Sequence, residues 1–432
     1  MSEAGAGRRR AAWVAILAVA ALARLVFAGA VVGWDTPPKA DEADYHAIAV
    51  NLLEGDGFVS FEGTPTARRP PGYPVFLAAV YAIAGESPRA GRVVQVILGV
   101  VVVALTGLLA RRYFGESIAL LAAGLSAINP FLIFISGYLL TENLYMVLLL
   151  AALVTARDPR TLAASHARAA ATGVILALAT LARPTGLPML EWVLAALLAL
   201  SGVAWRARLV RGALAAAAFA LVVLPWYARN ASVVGGWVLT THGGITFLQG
   251  NNEKVASVPQ WRGGAAPLEV LPRFDEMAGL DEFTRDRLAF ELGYHYVQTH
   301  ANDVPELVFW KMVRFWRLHS DMGLSGVKSG WWWSKNSTLG RLAADIDVGF
   351  AYAIVAVPLF VLGVVVTFRR WRELSLLLGV VAVHTAVAMV FYGSLRSRIP
   401  VEPVMCVLAA VALAAIVGRV RARGGRVATA PG

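Results

Sequence analysis

Apolar stretches of membrane-crossing length run through this chain at residues 11–32, 92–110, 117–134, 138–156, 169–183, 186–204, 209–226, 346–367, 374–392 and 399–418. A helix of roughly 17–25 apolar residues crosses the hydrocarbon core of a bilayer. Lipid offers no partner to backbone N–H and C=O groups, so such stretches must pair their own. The expected fold is therefore an all-α polytopic membrane protein, a bundle of about ten transmembrane helices. Composition agrees: 58% of the 432 residues are hydrophobic and 16% charged, against about 45–50% and about 25% in soluble domains. Disorder, a disulfide-rich secreted scaffold and a soluble enzyme are excluded. Cys406, the one cysteine, has no internal partner. A further apolar run, 73–84, has only about a dozen residues and reads as an interfacial or re-entrant segment.

Charge sets the orientation. Arginines cluster at 8–10, 111–112, 157–168, 206–211, 369–372 and 419–426. With ten spans, and 73–84 not crossing, all six clusters fall on one side, which the positive-inside trend makes cytoplasmic, with both termini. If 73–84 crossed, the five later clusters would lie opposite Arg8–Arg10. Ala28-Gly29-Ala30 resembles a signal-peptide cleavage site, but the first run is longer than a usual h-region and more spans follow, so an uncleaved helix is expected. The net charge of +11 then speaks for orientation and not for nucleic acid. The chain divides into an N-terminal membrane module (1–226) with a first outer loop at 33–91, an extracytoplasmic region (227–345), and C-terminal membrane helices with a basic cytoplasmic tail (346–432).

The outer segments hold the candidate chemistry. After Pro37 and Pro38, residues Asp41, Tyr45, Ile48 and Leu52 recur at helical spacing, and Gly55 and Gly57 close the run. That pattern predicts a short surface helix with Asp41 and Glu42 at its start. The acids read either as first-turn helix caps or as a general base at the membrane interface. Arg68 and Arg69 precede a Pro-Pro turn, as snorkelling cations or as a headgroup-level site for a lipid phosphate. Glu142 opens an apolar helix, where an acid is costly and asks for a partner; Glu191 and Glu402 raise the same question. Arg183, Arg229, Arg396 and Arg398 sit at outer ends of spans, against the positive-inside trend. Either structural ion pairs or a bound phosphate would account for them. The segment from Gly235 to Asn252 reads as a loop, with short strands as an option. Residues 304–318 read as an amphipathic surface helix with Lys311, Arg314 and Arg317 on its polar face, and Trp331, Trp332 and Trp333 as an interfacial belt. The seven histidines show no metal-ligand spacing.

The motifs DEADYHAIA, RRPPGYPVFLA, ARRYFG, NPFLIFISGYLLTEN, LARPTG, LPWYARN and RSRIPVEP follow one another from about residue 34 to 403. In order and spacing the chain resembles the GT-C membrane glycosyltransferases, in their aminoarabinose-transferase and protein O-mannosyltransferase branch. The resemblance implies an inverting transfer of a sugar from a polyprenyl-phosphate donor to a cell-envelope glycan, lipid or protein, at the outer face of the cytoplasmic membrane. It implies Asp41 as catalytic base, with Glu42 and Tyr45 beside it and Glu142 as a second acid. Arg69, with Arg68, would grip the lipid phosphate. Arg396 and Arg398 match the arginines near the last spans, and Tyr138, Arg183 and Arg229 complete the expected substrate-binding set. No cofactor is required on this reading, although Asp41 and Glu42 offer oxygen ligands to Mg or Mn. Larger relatives carry an extra domain after the last span, so acceptor recognition is expected mainly from 227–345. The alternative is a non-catalytic transporter or lipid-binding protein; internal repeats, its usual mark, are not visible.

Overall fold

The computed structural model describes residues 3–156, 158, 160–200, 203–316 and 348–427. Arg317 and Trp331–Trp333 lie outside the described residues. The described chain is helical, with one isolated antiparallel bridge between Val59 and Pro65. The helices are α1 (Glu3–Val26), α2 (Asp41–Glu54), α3 (Gly72–Ala84), α4 (Pro88–Phe114), α5 (Glu116–Ile128), α6 (Pro130–Ile135), α7 (Glu142–Ala156), α8 (His166–Ala182), α9 (Gly186–Ala199) and α10 (Trp205–Val233). There follow α11 (Gly243–Gly250), α12 (Glu253–Ser257), α13 (Phe274–Ala278), α14 (Glu282–Thr299), α15 (Val304–Trp316), α16 (Val348–Thr367), α17 (Trp371–Val390), α18 (Leu395–Arg398) and α19 (Glu402–Val427).

Each of the ten expected spans overlaps helix among the described residues. Five segments, Gly5–Val32, Pro88–Phe114, Trp205–Val233, Gly349–Val390 and Leu395–Arg421, are long and apolar enough to cross a bilayer; Glu116–Ile128, Glu142–Ala156, His166–Ala182, Gly186–Ala199 and the run at Gly72–Ala84 are shorter. The third span is broken by chemistry legible in its sequence. Asn129 accepts N–H bonds from Phe131 and Leu132, and Pro130 opens α6 at the first helical position. Helix pairs approach closely where a side chain is missing. A Cβ on Gly173 of α8 would lie 2.1 Å from Ala215 O of α10, and one on Gly363 of α16 would lie 2.1 Å from Leu408 O of α19, the small-residue contact common in lipid.

The bundle has two chemically distinct ends. At one, Trp13 donates to Glu116 (2.7 Å), Arg111 pairs with Glu116 (2.9 Å), and Arg370 donates to Tyr113 O (3.0 Å). The arginine-bearing turn α4–α5 thus meets α1 and the turn α16–α17 there. The other end carries α2, α3 and an outer layer of α11–α15 with a small core of its own around Ile245, Leu248, Val255, Met277, Ala289 and Tyr296. The option of strands after Gly235 is not realised. Thr240 and Thr241 instead lie along residues 67–68, Thr241 N–H donating to Ala67 O (3.0 Å) and Thr240 Oγ1 to Arg68 O (2.6 Å).

Candidate active site

Helix α2 begins under strain. Ala40 has φ +49°, a left-handed backbone that costs a non-glycine residue on the order of 1–3 kcal/mol, and the next residue is Asp41. Asp41 and Asp44 share a helix face, and Arg69 reaches both. Its Nη2 donates to Asp41 Oδ1 and to Asp44 Oδ2 (2.7 Å), and its Nε to Asp44 Oδ2 (3.1 Å). The guanidinium lies 5.2 Å over the Tyr45 ring, which meets Tyr73 edge-on at 5.1 Å. Arg68, more exposed, stands 3.7 Å from Asp44.

From the far end of the chain, Arg396 on α18 donates Nη1 to Asp41 Oδ2 and Nε to Glu142 Oε1. Arg183, just after α8, completes the row, with Nη1 2.6 Å from Glu142 Oε1 and a 3.3 Å bond to Thr141 Oγ1. Arg69, Asp41, Arg396, Glu142 and Arg183 therefore form one alternating chain of charges drawn from the segment before α3, from α2, α18 and α7, and from the residue after α8. The acids differ in access. The Glu142 side chain is fully buried, whereas Asp41 keeps 27% of its side-chain surface open. Burial works against the Asp41 carboxylate, but the charges of Arg396 and Arg69 outweigh it and hold its pKa well below the usual range.

Glu42 points elsewhere. Its Oε1 accepts the Leu139 N–H (2.6 Å), with Arg92 Nη2 at 4.0 Å. Burial raises its pKa, against the Leu139 N–H and Arg92. Arg92 also donates to Gly137 O (3.2 Å) and Trp34 O (2.7 Å). This pair ties α2 to the turn that delivers Glu142, and Tyr138 stands in that turn against Phe134 (4.9 Å). Arg229 and Arg398 are likewise held away from the charge row. Arg229 donates to Thr66 O (2.6 Å) and Phe58 O (2.9 Å), beneath the Trp226 ring at 4.9 Å. Arg398 is fully buried, 2.9 Å from Glu402 Oε1, and donates to Trp316 O (2.8 Å). Residues 394–398 form a single short turn of helix, and a step of two residues turns about 200° around a helix axis, so Arg396 and Arg398 face opposite ways.

Two neighbours, His242 and Glu282, carry no signal in local sequence, and a third residue, Lys311, lies otherwise than its pattern predicts. His242 lies within electrostatic reach of Asp41, Arg69 and Arg68; burial, then the two arginines, lower its pKa to about 3 and keep it neutral. Glu282 of α14 accepts from Thr66 Oγ1 (2.9 Å), Ala67 N–H (3.2 Å) and Thr241 Oγ1, and so fixes the backbone just before Arg68. Lys311 is 1% exposed and not on the solvated face that the periodicity of 304–318 predicts. The donor set does not suit a divalent cation, which takes several oxygens of its own. Asp41 and Glu42 diverge, the acids of the charge row are engaged by arginines, and no three His, Cys, Asp or Glu side chains converge among the described residues.

Residues 68–228, which include Arg69, Glu142 and Arg183, match the family model described as dolichyl-phosphate-mannose-protein mannosyltransferase. No curated protein matches the chain in sequence. Among solved structures, the archaeal oligosaccharyltransferase AglB from Archaeoglobus fulgidus, in complex with an inhibitory peptide and a dolichol-phosphate, is 16% identical with a TM-score of 0.54. The match covers 97% of this chain and 52% of that one. The apo form of the Archaeoglobus fulgidus oligosaccharyltransferase gives 16%, 0.54, 96% and 52%. ArnT from Cupriavidus metallidurans bound to undecaprenyl phosphate gives 15% and 0.45, over 93% of this chain and 77% of that one. The chain thus spans about half the length of the oligosaccharyltransferase it matches. Its all-helical membrane architecture is the GT-C fold, and its segment 68–228 is similar to the dolichyl-phosphate-mannose-protein mannosyltransferases.

Proposed function

We propose that the protein is an inverting glycosyltransferase that moves a sugar from a polyprenyl-phosphate carrier to a cell-envelope acceptor, at the outer face of the cytoplasmic membrane. The observation that carries this reading is the half-open Asp41 carboxylate held between Arg69 and Arg396. The oxygen of an acceptor hydroxyl attacks the anomeric carbon, and the bond from that carbon to the phosphate oxygen breaks. The hydroxyl proton passes to Asp41, and polyprenyl phosphate leaves with the bonding electron pair. The carbon passes through an oxocarbenium-like state. Arginine forks suit the charge growing on the phosphate oxygens.

The low pKa of Asp41 bears on timing. With both arginines directed at it, Asp41 is a weak base. A donor phosphate that shares Arg69 and Arg396 removes part of that stabilisation and raises the basicity of Asp41 once the donor is bound. Glu142, sealed from solvent, serves as counter-charge for Arg396 and Arg183 in place of a proton acceptor. Glu42 and Arg92 act as supports, and Arg229 and Arg398 are assigned structural work.

Asp41→Asn is the test. Purified chain in nanodiscs is titrated with undecaprenyl phosphate, and envelope glycans and glycoproteins of cells carrying wild type, variant or no gene are compared by mass spectrometry. The expected outcome is loss of the gene-dependent product by about two orders of magnitude or more, with lipid-phosphate affinity equal to or tighter than wild type. Product formation at the wild-type level by the variant would remove Asp41 from the role of base. A wild-type protein that moves lipid-linked sugar across vesicles and never transfers it would replace the reading by transport.

A further inference from the structure

Lys311 of α15 buries its ammonium group where the outer layer meets the end of α17. Its Nζ donates to Asn251 Oδ1 (2.8 Å), Met389 O (3.2 Å) and Val390 O (3.2 Å). Among the described residues no carboxylate pairs with it. Desolvating an ammonium without a counter-ion is costly, so a contact that served only to fill space would be better made by an apolar side chain. What the ammonium does here is specific to the end of a helix. Met389 and Val390 are the last residues of α17, whose final carbonyls lack intrahelical partners, and a cation is favoured at that pole of the helix dipole.

The junction is tight on every side. Asn251 Nδ2 donates to Val390 O (2.9 Å) and to Phe247 O (2.8 Å). Gly393 N–H donates to Gly263 O (2.9 Å). A Cβ on Gly250 would lie 1.8 Å from Phe391 O, and one on Gly393 would lie 2.0 Å from Lys311 O. The chain leaves α17 at Phe391 and reaches Arg396 five residues later. The clamp therefore fixes the starting point and direction of the linker that delivers Arg396 to Asp41 and Glu142.

We propose that Lys311 is a positioning residue for Arg396: by binding the terminal carbonyls of α17 to Asn251, it holds the 391–394 linker so that the Arg396 guanidinium meets the phosphate of the lipid donor. The inference rests on the reading of the charge row as a lipid-phosphate site, and its test separates the two. Undecaprenyl phosphate is titrated into the full chain in nanodiscs, monitored by native mass spectrometry, for wild type, Lys311→Met, Arg396→Ala and the double variant. Lys311→Met is expected to weaken binding about tenfold alone and less than twofold in the Arg396→Ala background, the non-additivity of residues that act as a unit. Asn251→Ala, which leaves the ammonium in place, gives the same non-additivity with a smaller first step and serves if Lys311→Met does not fold. Equal losses in both backgrounds, or no loss in either, overturn the proposal while leaving the site intact. Failure of wild type to bind undecaprenyl phosphate overturns the reading of the site and the positioning role with it.

Discussion

Arg396 and Arg398 are two residues apart on one short turn, yet one bridges two acids at the Asp41 end of the bundle and the other is sealed inside it. Their common motif made them look equivalent in the sequence. The difference is set by the direction in which a single helical turn presents each side chain, and by Glu402, which stands one turn further on to receive Arg398. Asn129 and Tyr352 complete that second network, at 3.0 and 2.9 Å from Glu402 Oε2. Removing one partner of such a pair strands the other charge in a dry interior, at a cost of about 3–5 kcal/mol. Arg398→Ala is therefore expected to lower the apparent melting temperature sharply, while the fraction that remains folded binds undecaprenyl phosphate as wild type does. Arg398→Ala combined with Glu402→Gln recovers part of the loss. A selective fall in lipid-phosphate affinity, with unchanged melting, would return Arg398 to the donor site. Glu142, Arg183 and Arg396 were legible as candidates because each is a charge at the end of an apolar span, and Asp41 and Arg69 because of the motifs that hold them in the first outer loop. His242 and Glu282 were not, since nothing in a polar outer segment marks which residues it turns toward the site.

At the scale of elements, the membrane helices were readable from length and apolarity, and the outer layer was not. The segment around Thr240 and Thr241 was open to short strands, but the two threonines bond to the irregular stretch 67–68 and no strand forms. Lys311, Arg314 and the aromatics of 304–316 carried the pattern of a helix lying on lipid headgroups. Periodicity reports which residues share a face and says nothing about what covers it; here α15 turns its Lys311 face onto α17 and α18. The acid that anchors the outer layer to the RRPP segment is Glu282. Its truncation in Glu282→Ala frees Thr66, Ala67 and Thr241 at once and loosens the backbone that sets Arg69. The expected result is a fall of several-fold in affinity for undecaprenyl phosphate with the bundle still folded, measured beside the melting curve. Unchanged affinity would make Glu282 a strut of the outer layer alone.

For the whole molecule, the turns that carry Arg111 and Arg370 meet at one place in the bundle, and the charge pattern predicts that they face the cytoplasm while the Asp41 row faces outside. This sidedness is testable with the chain's own cysteine content, because Cys406 is buried. Glu62→Cys, in the exposed loop between α2 and α3, is expected to react with a membrane-impermeant maleimide applied to intact cells. Arg160→Cys, exposed between α7 and α8, is expected to react only after permeabilisation. Labelling of both from outside would break the ten-span reading and its assignment of α3 as a helix that does not cross.

The charge row also has a consequence for turnover. Its acids, Asp41 and Glu142, with Asp44 beside them, are all engaged by arginines, Arg69, Arg183 and Arg396, before any ligand arrives. A phosphate entering it competes with carboxylates already in place, and the same carboxylates are at hand to reclaim the arginines when the spent carrier must go. In the proposed reaction, affinity for the lipid is thereby kept moderate by design of the site itself. On that reading the carboxylates act as a built-in competitor against the spent carrier, so that a site with several cations around a phosphate can still let it leave.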